Sequence, residues 1–390
     1  MSIKKTDVIV IGGGAIGSSI AFHLARHKIG VILLEKGGLA SGSSGACDGL
    51  VFLQSKKPGI HLELALASLK LFKNLADRLP MDMEFRQAGG LVVIESEAEL
   101  EVMKSYVAEQ RATGLEVSLL DAAETRRLEP CLAENIVGAA YSPMDSQVNP
   151  IRMTLALALG AKEGGAEIIT DSPVTGMEQI GAGTWSVTAG RDVYQAPTVV
   201  NAAGVLAPQI AAMVGLDIPI KPRRGQLIVT DFEGVELNHC LISAGYIAAK
   251  FNPEIAREAG QGVSIEQTKS GNLLLGSTRE FVGFNRRTTL SGLKSIAARS
   301  SKIIPGLSAM NLIRSFAGLR PYTPDGLPCL GLVEGLEGLI MAAGHEGDGI
   351  SLSLITGHLM AQLVVSGRTD IPLDDFNVAR FAGMGVTDGF

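Results

Sequence analysis

Residues 7–35 read DVIVIGGGAIGSSIAFHLARHKIGVILLE, and no other stretch constrains the chain as strongly. The apolar run 8–11 shows no alternation, as in a strand buried on both faces. Three glycines follow, then Ile16, Ile20 and Leu24 recur at helical spacing, and GVILLE (30–35) reads as a second buried strand. Strand, turn, helix and strand within about thirty residues predict a βαβ unit. Gly12, Gly14 and Gly17 complete G-x-G-x-x-G. Gly12 permits the tight turn, Gly14 lets backbone approach a pyrophosphate, and Gly17 lets the helix pack closely on the strand. The helix start offers free N–H groups and a positive dipole end to phosphate. The motif alone is weak. Here it follows a strand, opens a helix and precedes Glu35 by 18 residues, where an acid can bind ribose hydroxyls. An acid there disfavours a 2′-phosphate.

The rest of the chain, residues 36–390, alternates in character. Helical periodicity is expected at 61–79, 98–112, 121–127, 151–163, 205–214, 293–301 and 350–365. Strand character is expected at 89–95, 136–142, 165–169, 185–188, 192–195, 197–201, 226–230, 262–267, 273–277 and 338–343. α/β segments at both ends and in the middle enclose β-rich ones. The expected fold is therefore α/β: a discontinuous Rossmann-like cofactor domain (1–85, 149–218, 319–390) with an inserted, mainly antiparallel β-rich substrate domain (86–148, 219–318). Residues 231–262 read as an elaborated excursion, of the kind used as lids or binding surfaces.

Composition closes off several classes. Net charge is −6, the opposite of the balance expected of a nucleic-acid binder. No apolar stretch reaches the length of a transmembrane helix, and the short run after Lys4 and Lys5 ends in glycines rather than a cleavage site, so no signal peptide is expected. The four cysteines, Cys47, Cys131, Cys240 and Cys329, are scattered without C-x-x-C spacing, and the six histidines show no metal pattern. No metal site is expected, and a reducing cytoplasm suits so few cysteines.

The fingerprint does not choose between FAD and NAD. Further motifs do so through resemblance: LASGSSGACDGL after the second strand, SPVTGM, VVNAAGVLAP, PRRGQL, GNLLLGSTRE, FAGLRPYTPDGLPCLG and AAGHEGDGISLS, in that order. Together they resemble the D-amino-acid oxidase-like flavoproteins, which include glycine oxidase, sarcosine oxidase and amino-acid dehydrogenase subunits, over nearly the whole chain. The resemblance implies FAD contacts from Gly12, Gly14, Ala15, Ile16 and Gly17. It adds Glu35 and Lys36, the loop residues Ser43, Ser44, Asp48, Gly49 and Leu50, the backbone of Val174, and the turn Ala203–Gly204. It also implies contacts from the turn Gly344, His345, Glu346, Gly347, Asp348, Gly349 and Ile350. That last turn leads into a helix, so its N–H groups and dipole would stabilise negative charge on a reduced flavin. Some sarcosine oxidases tether flavin through a cysteine near GLRP. Here that region reads SFAGLRPYT, with Cys329 beyond it, so non-covalent FAD is expected.

On the substrate side, Arg320 in GLRP matches the family arginine that pairs with a substrate carboxylate, a role suited to a planar fork that keeps its charge. A tyrosine of glycine oxidase-like members is replaced by Ser264 in VSIEQTKSG. Alternation puts Ser264, Glu266 and Thr268 on one face. The carboxylate clamp is then weaker, or shared with Tyr246 or Tyr322. Glu266 is expected either to face the flavin and meet a cationic group of the substrate or to be an ordinary solvated strand position. Cys47 is expected to be a small buried apolar group. The implied activity is oxidation of a carbon–nitrogen bond in a small amino or imino acid. A glycerol-3-phosphate dehydrogenase-like enzyme, for which Arg223, Arg224 and Arg320 are the candidate cations, and a non-catalytic flavoprotein subunit are the alternatives. Resemblance to catalytic subunits implies iron–sulfur or flavin partner subunits, with a homo-oligomer as the other option.

Overall fold

The computed structural model describes residues 3–181, 183–231, 234–251 and 262–383. Its centre is a six-stranded sheet in the order Cys329–Leu332, Leu339–Ala343, Thr198–Asn201, Val8–Ile11, Val31–Leu34, Glu167–Ile169, parallel except for its first strand. The unbroken apolar runs are explained by two cores. Val8, Val10, Val31 and Leu33 face one, with helices Ala15–Arg26 and Ser353–Ser366. Ile9, Ile11, Ile32 and Leu34 face another, built with Trp185, Val187 and Tyr194 of a four-stranded sheet. Successive side chains point to opposite faces, so a strand covered on both sides must be apolar throughout.

An eight-stranded sheet carries the second half of the architecture. Its order is Leu312–Tyr322, Lys221–Thr230, Leu273–Gly276, Ser264–Gln267, Cys240–Ser243, Gly90–Ile94, Gly138–Ser142, Ser118–Asp121. All its pairs are antiparallel except Cys240–Ser243 with Gly90–Ile94. Leu91, Val93 and Leu241 face the core under helix Leu290–Ile303, while Val92, Ile94, Cys240 and Ile242 face the large core of the first sheet. Its strands thus alternate between two hydrophobic layers, and the sheet is welded to the dinucleotide half through one of them.

Several elements depart from the expectation, strands Ser118–Asp121, Val174–Ile180, Leu312–Tyr322 and Cys329–Leu332 among them. Residues 231–262 are not wholly an excursion: Cys240–Ser243 is an inner strand joining the two ends of the sheet, followed by helix Ala244–Phe251. The rest of that stretch lies partly outside the described residues. The helix expected over 61–79 spans Ile60–Leu75. The last long helix starts at Ser353, because residues 348–353 form irregular turns, with Leu352 N donating to Asp348 O at 2.9 Å and Ser353 N to Ile350 O at 3.2 Å.

Candidate active site

Loops at the carboxyl ends of the parallel strands surround a cavity of about 700 Å³. This is where open α/β sheets bind ligands, and the volume falls within the roughly 300–1,000 Å³ of small-molecule and cofactor sites. Gly12, Gly14, Ala15 and Ile16 line it, as do Glu35, Lys36, Ser43, Ser44, Asp48, Leu50, Val174, Ala203 and Gly204. His345, Glu346, Gly347, Gly349, Ile350, Tyr246 and Arg320 complete the expected residues on its wall.

The wall is held by bonds between distant segments. Ala15 N donates to Ser44 Oγ at 2.9 Å, fixing loop 43–50 over the helix start. Ser43 Oγ donates to Leu319 O at 2.6 Å, and Ser351 Oγ to Leu50 O at 3.1 Å. The loop is thereby clamped between the strand that carries Arg320 and the turn that follows Gly344. Glu35 accepts from Gly13 N at 2.7 Å and Gly37 N at 2.8 Å, one bond per oxygen. A carboxylate has about four acceptor sites, so two remain for hydroxyl groups.

Six expected residues are not on the wall, each for a visible reason. Gly17 lies under the turn: an added Cβ would stand 1.9 Å from Gly12 O. Gly49 is pinned with a virtual Cβ 1.9 Å from Val148 O, and at Gly344 one would meet Thr323 Cγ2 at 2.7 Å. Asp348 points inward, bridging Lys56 Nζ at 2.8 Å and His61 Nε2 at 3.2 Å. This buried ion pair anchors the turn from beneath, and removing one partner of such a pair typically costs about 3–5 kcal/mol. Glu266 does not face the cavity. Its Oε1 accepts from Gly49 N at 2.8 Å, and it sits behind Asp48, which is on the wall. Tyr322 is likewise off the wall, with the Arg223 guanidinium 4.6 Å from its ring centre.

Arg320 occupies a slot made for it. A Cβ on Gly225 would fall 2.2 Å from Arg320 Nη1, so the glycine of PRRGQL is the gap in which the guanidinium lies. Nη1 donates to Thr278 O at 3.0 Å and Nη2 to Ser277 Oγ at 2.6 Å. Arg223 is its register partner on the neighbouring strand. Like charges opposite each other are unfavourable. Glu346 relieves the pair: it is ion-paired to Arg223 and stands 4.0 Å from Arg320 Nε.

Across the cavity, Ser264 Oγ donates to Asp48 Oδ2 at 3.3 Å. Asp48 and Glu266 are two buried carboxyls close enough to feel each other. Burial raises the Asp48 pKa against the pull of Arg320. Burial, then the Asp48 charge, pushes Glu266 up to about 8. Two such groups cannot both ionise cheaply, so Glu266 stays mainly protonated near neutrality. Burial also raises the Cys47 thiol and lowers His345 to about 3, leaving both uncharged. His345 Nε2 lies 3.0 Å from Thr356 Oγ1.

A stability consequence follows. A carboxyl whose folded pKa lies above its unfolded value contributes stability at low pH that is lost as pH rises through the folded value, here about 8. Arg86 and Gly49 N favour the anion, while Asp48 opposes it. Glu266→Gln is therefore expected to flatten the fall in thermal midpoint between roughly pH 5 and 8, because its amide cannot ionise. Thermal unfolding of both proteins across that range checks this; parallel profiles would contradict it.

Sequence reasoning missed two buried cations. Lys56 sits in QSKKPG, which reads as a solvated loop. Arg279 follows Leu273, Leu275 and Ser277 in alternation, and that was its only signal. Its guanidinium lies 4.2 Å from the Tyr246 ring centre.

A parallel sheet with this turn, an acid closing its second strand and a long cavity at the strand ends define a dinucleotide-cofactor enzyme. The chain belongs to the DAO family of FAD-dependent oxidoreductases, whose profile matches residues 7–363. It is 31% identical to hydrogen cyanide synthase subunit HcnC of Pseudomonas protegens, over 97% of both chains. It is similar to the crystal structure of glycine oxidase from Geobacillus kaustophilus, with TM-score 0.88, 30% identity and coverage of 97% of this chain and 99% of that one. The L-proline dehydrogenase structure from P. horikoshii gives TM-score 0.88 at 26% identity, covering 97% and 98%. Among the described residues, no helix is long and apolar enough to cross a membrane, and no cluster of three or more His, Cys, Asp or Glu could hold a metal ion.

The cavity fits FAD. A Cβ on Gly14 would meet nothing but Ser44 Oγ, at 3.0 Å, and one on Gly204 would meet nothing within 4 Å. The chain leaves these faces bare beside a helix start, as a pyrophosphate requires.

Proposed function

We propose that the protein oxidises a carbon–nitrogen bond of a small amino or imino acid such as glycine, sarcosine, a D-amino acid, proline or hydroxyproline. The observation that carries this reading is Arg320. Its anchors are a carbonyl and a hydroxyl rather than a carboxylate of its own, and the nearest carboxylate, Glu346, is already ion-paired to Arg223. An under-neutralised guanidinium on a cavity wall is suited to an anionic ligand, and its fork matches a carboxylate.

Bound FAD supplies the two-electron acceptor. Residues Gly12 to Gly17 and loop 43–50 would hold its phosphates and ring, Glu35 its ribose and the Val174 backbone its adenine. Arg320 would fix the substrate carboxylate and so the position of the α-carbon. Asp48, on the same wall, would take up the proton that the substrate ammonium must lose. Tyr246 would close the site against water. We assign residues 1–85, 149–218 and 319–390 to the cofactor unit and 86–148 and 219–318 to the substrate unit. The boundary at 319 cuts strand Leu312–Tyr322, so Arg320 stands at the junction.

The glycerol-3-phosphate alternative needs several free cations. Arg224 is spent on Glu280, at 2.9 and 3.1 Å, and Arg223 on Glu346. Of those three candidate cations, only Arg320 is left for a phosphate dianion. The relative named as a synthase subunit supports a partner subunit for this chain as well. Turnover with an artificial electron acceptor, followed by mass spectrometry of the product, tests the reaction class. The expected product is an imine two hydrogens lighter than the substrate, or its hydrolysis products, a carbonyl compound and an amine. Turnover of glycerol 3-phosphate alone would contradict it.

A further inference from the structure

Arg279 is the one described residue whose whole guanidinium is sealed and unsatisfied: Nε, Nη1 and Nη2 are all buried without a hydrogen-bond partner among the described residues. The residue keeps some exposure, but not at those nitrogens. Arginine stays protonated in proteins, and an isolated buried charge is costly unless paired. Stacking on Tyr246 at 4.2 Å supplies a cation–π contact but satisfies no N–H group.

Its position ties it to the candidate site. The segment that seats Arg320, through Ser277 Oγ and Thr278 O, leads directly to Arg279. Arg279 itself is not on the cavity wall, but Tyr246, on which it stacks, is, so the ring must move aside for a ligand to reach the guanidinium. The charges acting on it are those of Tyr246, Arg223, Arg320 and Glu346, and it acts in turn on Asp48. Positive charge collects around the cavity: Arg320 and Arg279 act on one another, Arg286 also lines the wall, and Glu346 is ion-paired to Arg223. An ordinary amino-acid zwitterion brings one carboxylate to these cations, whereas an amine flanked by two carboxylates brings two.

We infer that Arg279 binds a second carboxylate, so that the preferred substrate is an amino or imino acid carrying two carboxylates, one on Arg320 and one reaching past the Tyr246 ring to Arg279. This rests on the reading of Arg320 as the partner of the first carboxylate. Arg279 is then a specificity-determining residue, and the substrate itself neutralises the buried charge.

The test uses unreactive ethers in place of the amine. Oxidised, FAD-loaded protein is titrated with methoxyacetate, which has one carboxylate, and with oxydiacetate and its one-carbon-longer homologue, which have two. Binding is read by isothermal calorimetry and by perturbation of the flavin spectrum. At least one dicarboxylate is expected to bind about tenfold or more tighter than methoxyacetate, as a charge-assisted contact implies. Arg279→Met should lower dicarboxylate affinity far more than methoxyacetate affinity. Arg279→Lys should keep part of the preference and serves as the readout if the Met variant does not fold. Arg320→Met should weaken every ligand. If methoxyacetate binds and neither dicarboxylate binds better, or if the preference survives in Arg279→Met, the inference falls and the Arg320 reading stands. If no carboxylate binds the wild type, both fall.

Discussion

Gly14→Val is expected to give a folded, colourless protein. Within the chain the new Cβ would approach Ser44 Oγ at 3.0 Å and nothing closer, so the backbone need not move. The side chain would instead fill the space left for the pyrophosphate. Overpacking there of about 3 kcal/mol corresponds to a loss of FAD affinity on the order of a hundredfold. Gly17→Val is the contrast. Its Cβ would sit 1.9 Å from the Gly12 carbonyl oxygen, which cannot be relieved without moving helix from strand. Circular dichroism and flavin content separate the two: Gly14→Val retains structure without FAD, and Gly17→Val loses both. Normal flavin content in Gly14→Val would contradict the placement of the phosphates.

Arg320→Ala is expected to keep FAD and lose most turnover. The guanidinium touches Thr278 O and Ser277 Oγ, not the helix start or Glu35, so cofactor binding should survive. Loss of a charge-assisted, bidentate contact costs about 2–4 kcal/mol, or roughly 30- to 1,000-fold in kcat/KM. Arg320→Lys should recover only part, because an ammonium cannot span both carboxylate oxygens. Gly225→Ala offers an indirect test of the same geometry: the methyl group would occupy the Arg320 slot and displace the fork without removing it. It should therefore resemble a milder Arg320→Ala. Unchanged kinetics in Arg320→Ala across an amino- and imino-acid panel would contradict the carboxylate role.

What was legible in the sequence was local in origin. The turn at Gly12 to Gly17, Glu35 and the buried strands beside them are fixed by neighbours a few residues away, and their apolar runs state that both faces are covered. Arg320 was legible because GLRP is a motif. The alternation of Ser264 and Glu266 was also read correctly as one face, since both reach toward residues 48–49. Alternation does not say what covers that face: Asp48, 216 residues from Ser264, lines the cavity, and Glu266 does not. The strand Cys240–Ser243 was missed for a related reason: four residues carry little periodicity, and its place between strands 90–94 and 264–267 is set by pairing with distant segments. Lys56 and Arg279 were illegible because their burial depends on the Asp348 turn and on Tyr246, neither of which is near in sequence. Charged residues in loops are usually solvated, and only tertiary packing identifies the exceptions.

The most direct test of the central claim is anaerobic addition of amino and imino acids, with one and two carboxylates, to the FAD-loaded protein while its visible flavin absorption is followed. At least one carboxylate-bearing amine should bleach the flavin, glycerol 3-phosphate should not, and the bleaching should slow sharply in Arg320→Ala. Bleaching by glycerol 3-phosphate with no response to any amine, or a flavin that no amino or imino acid reduces, would contradict the account.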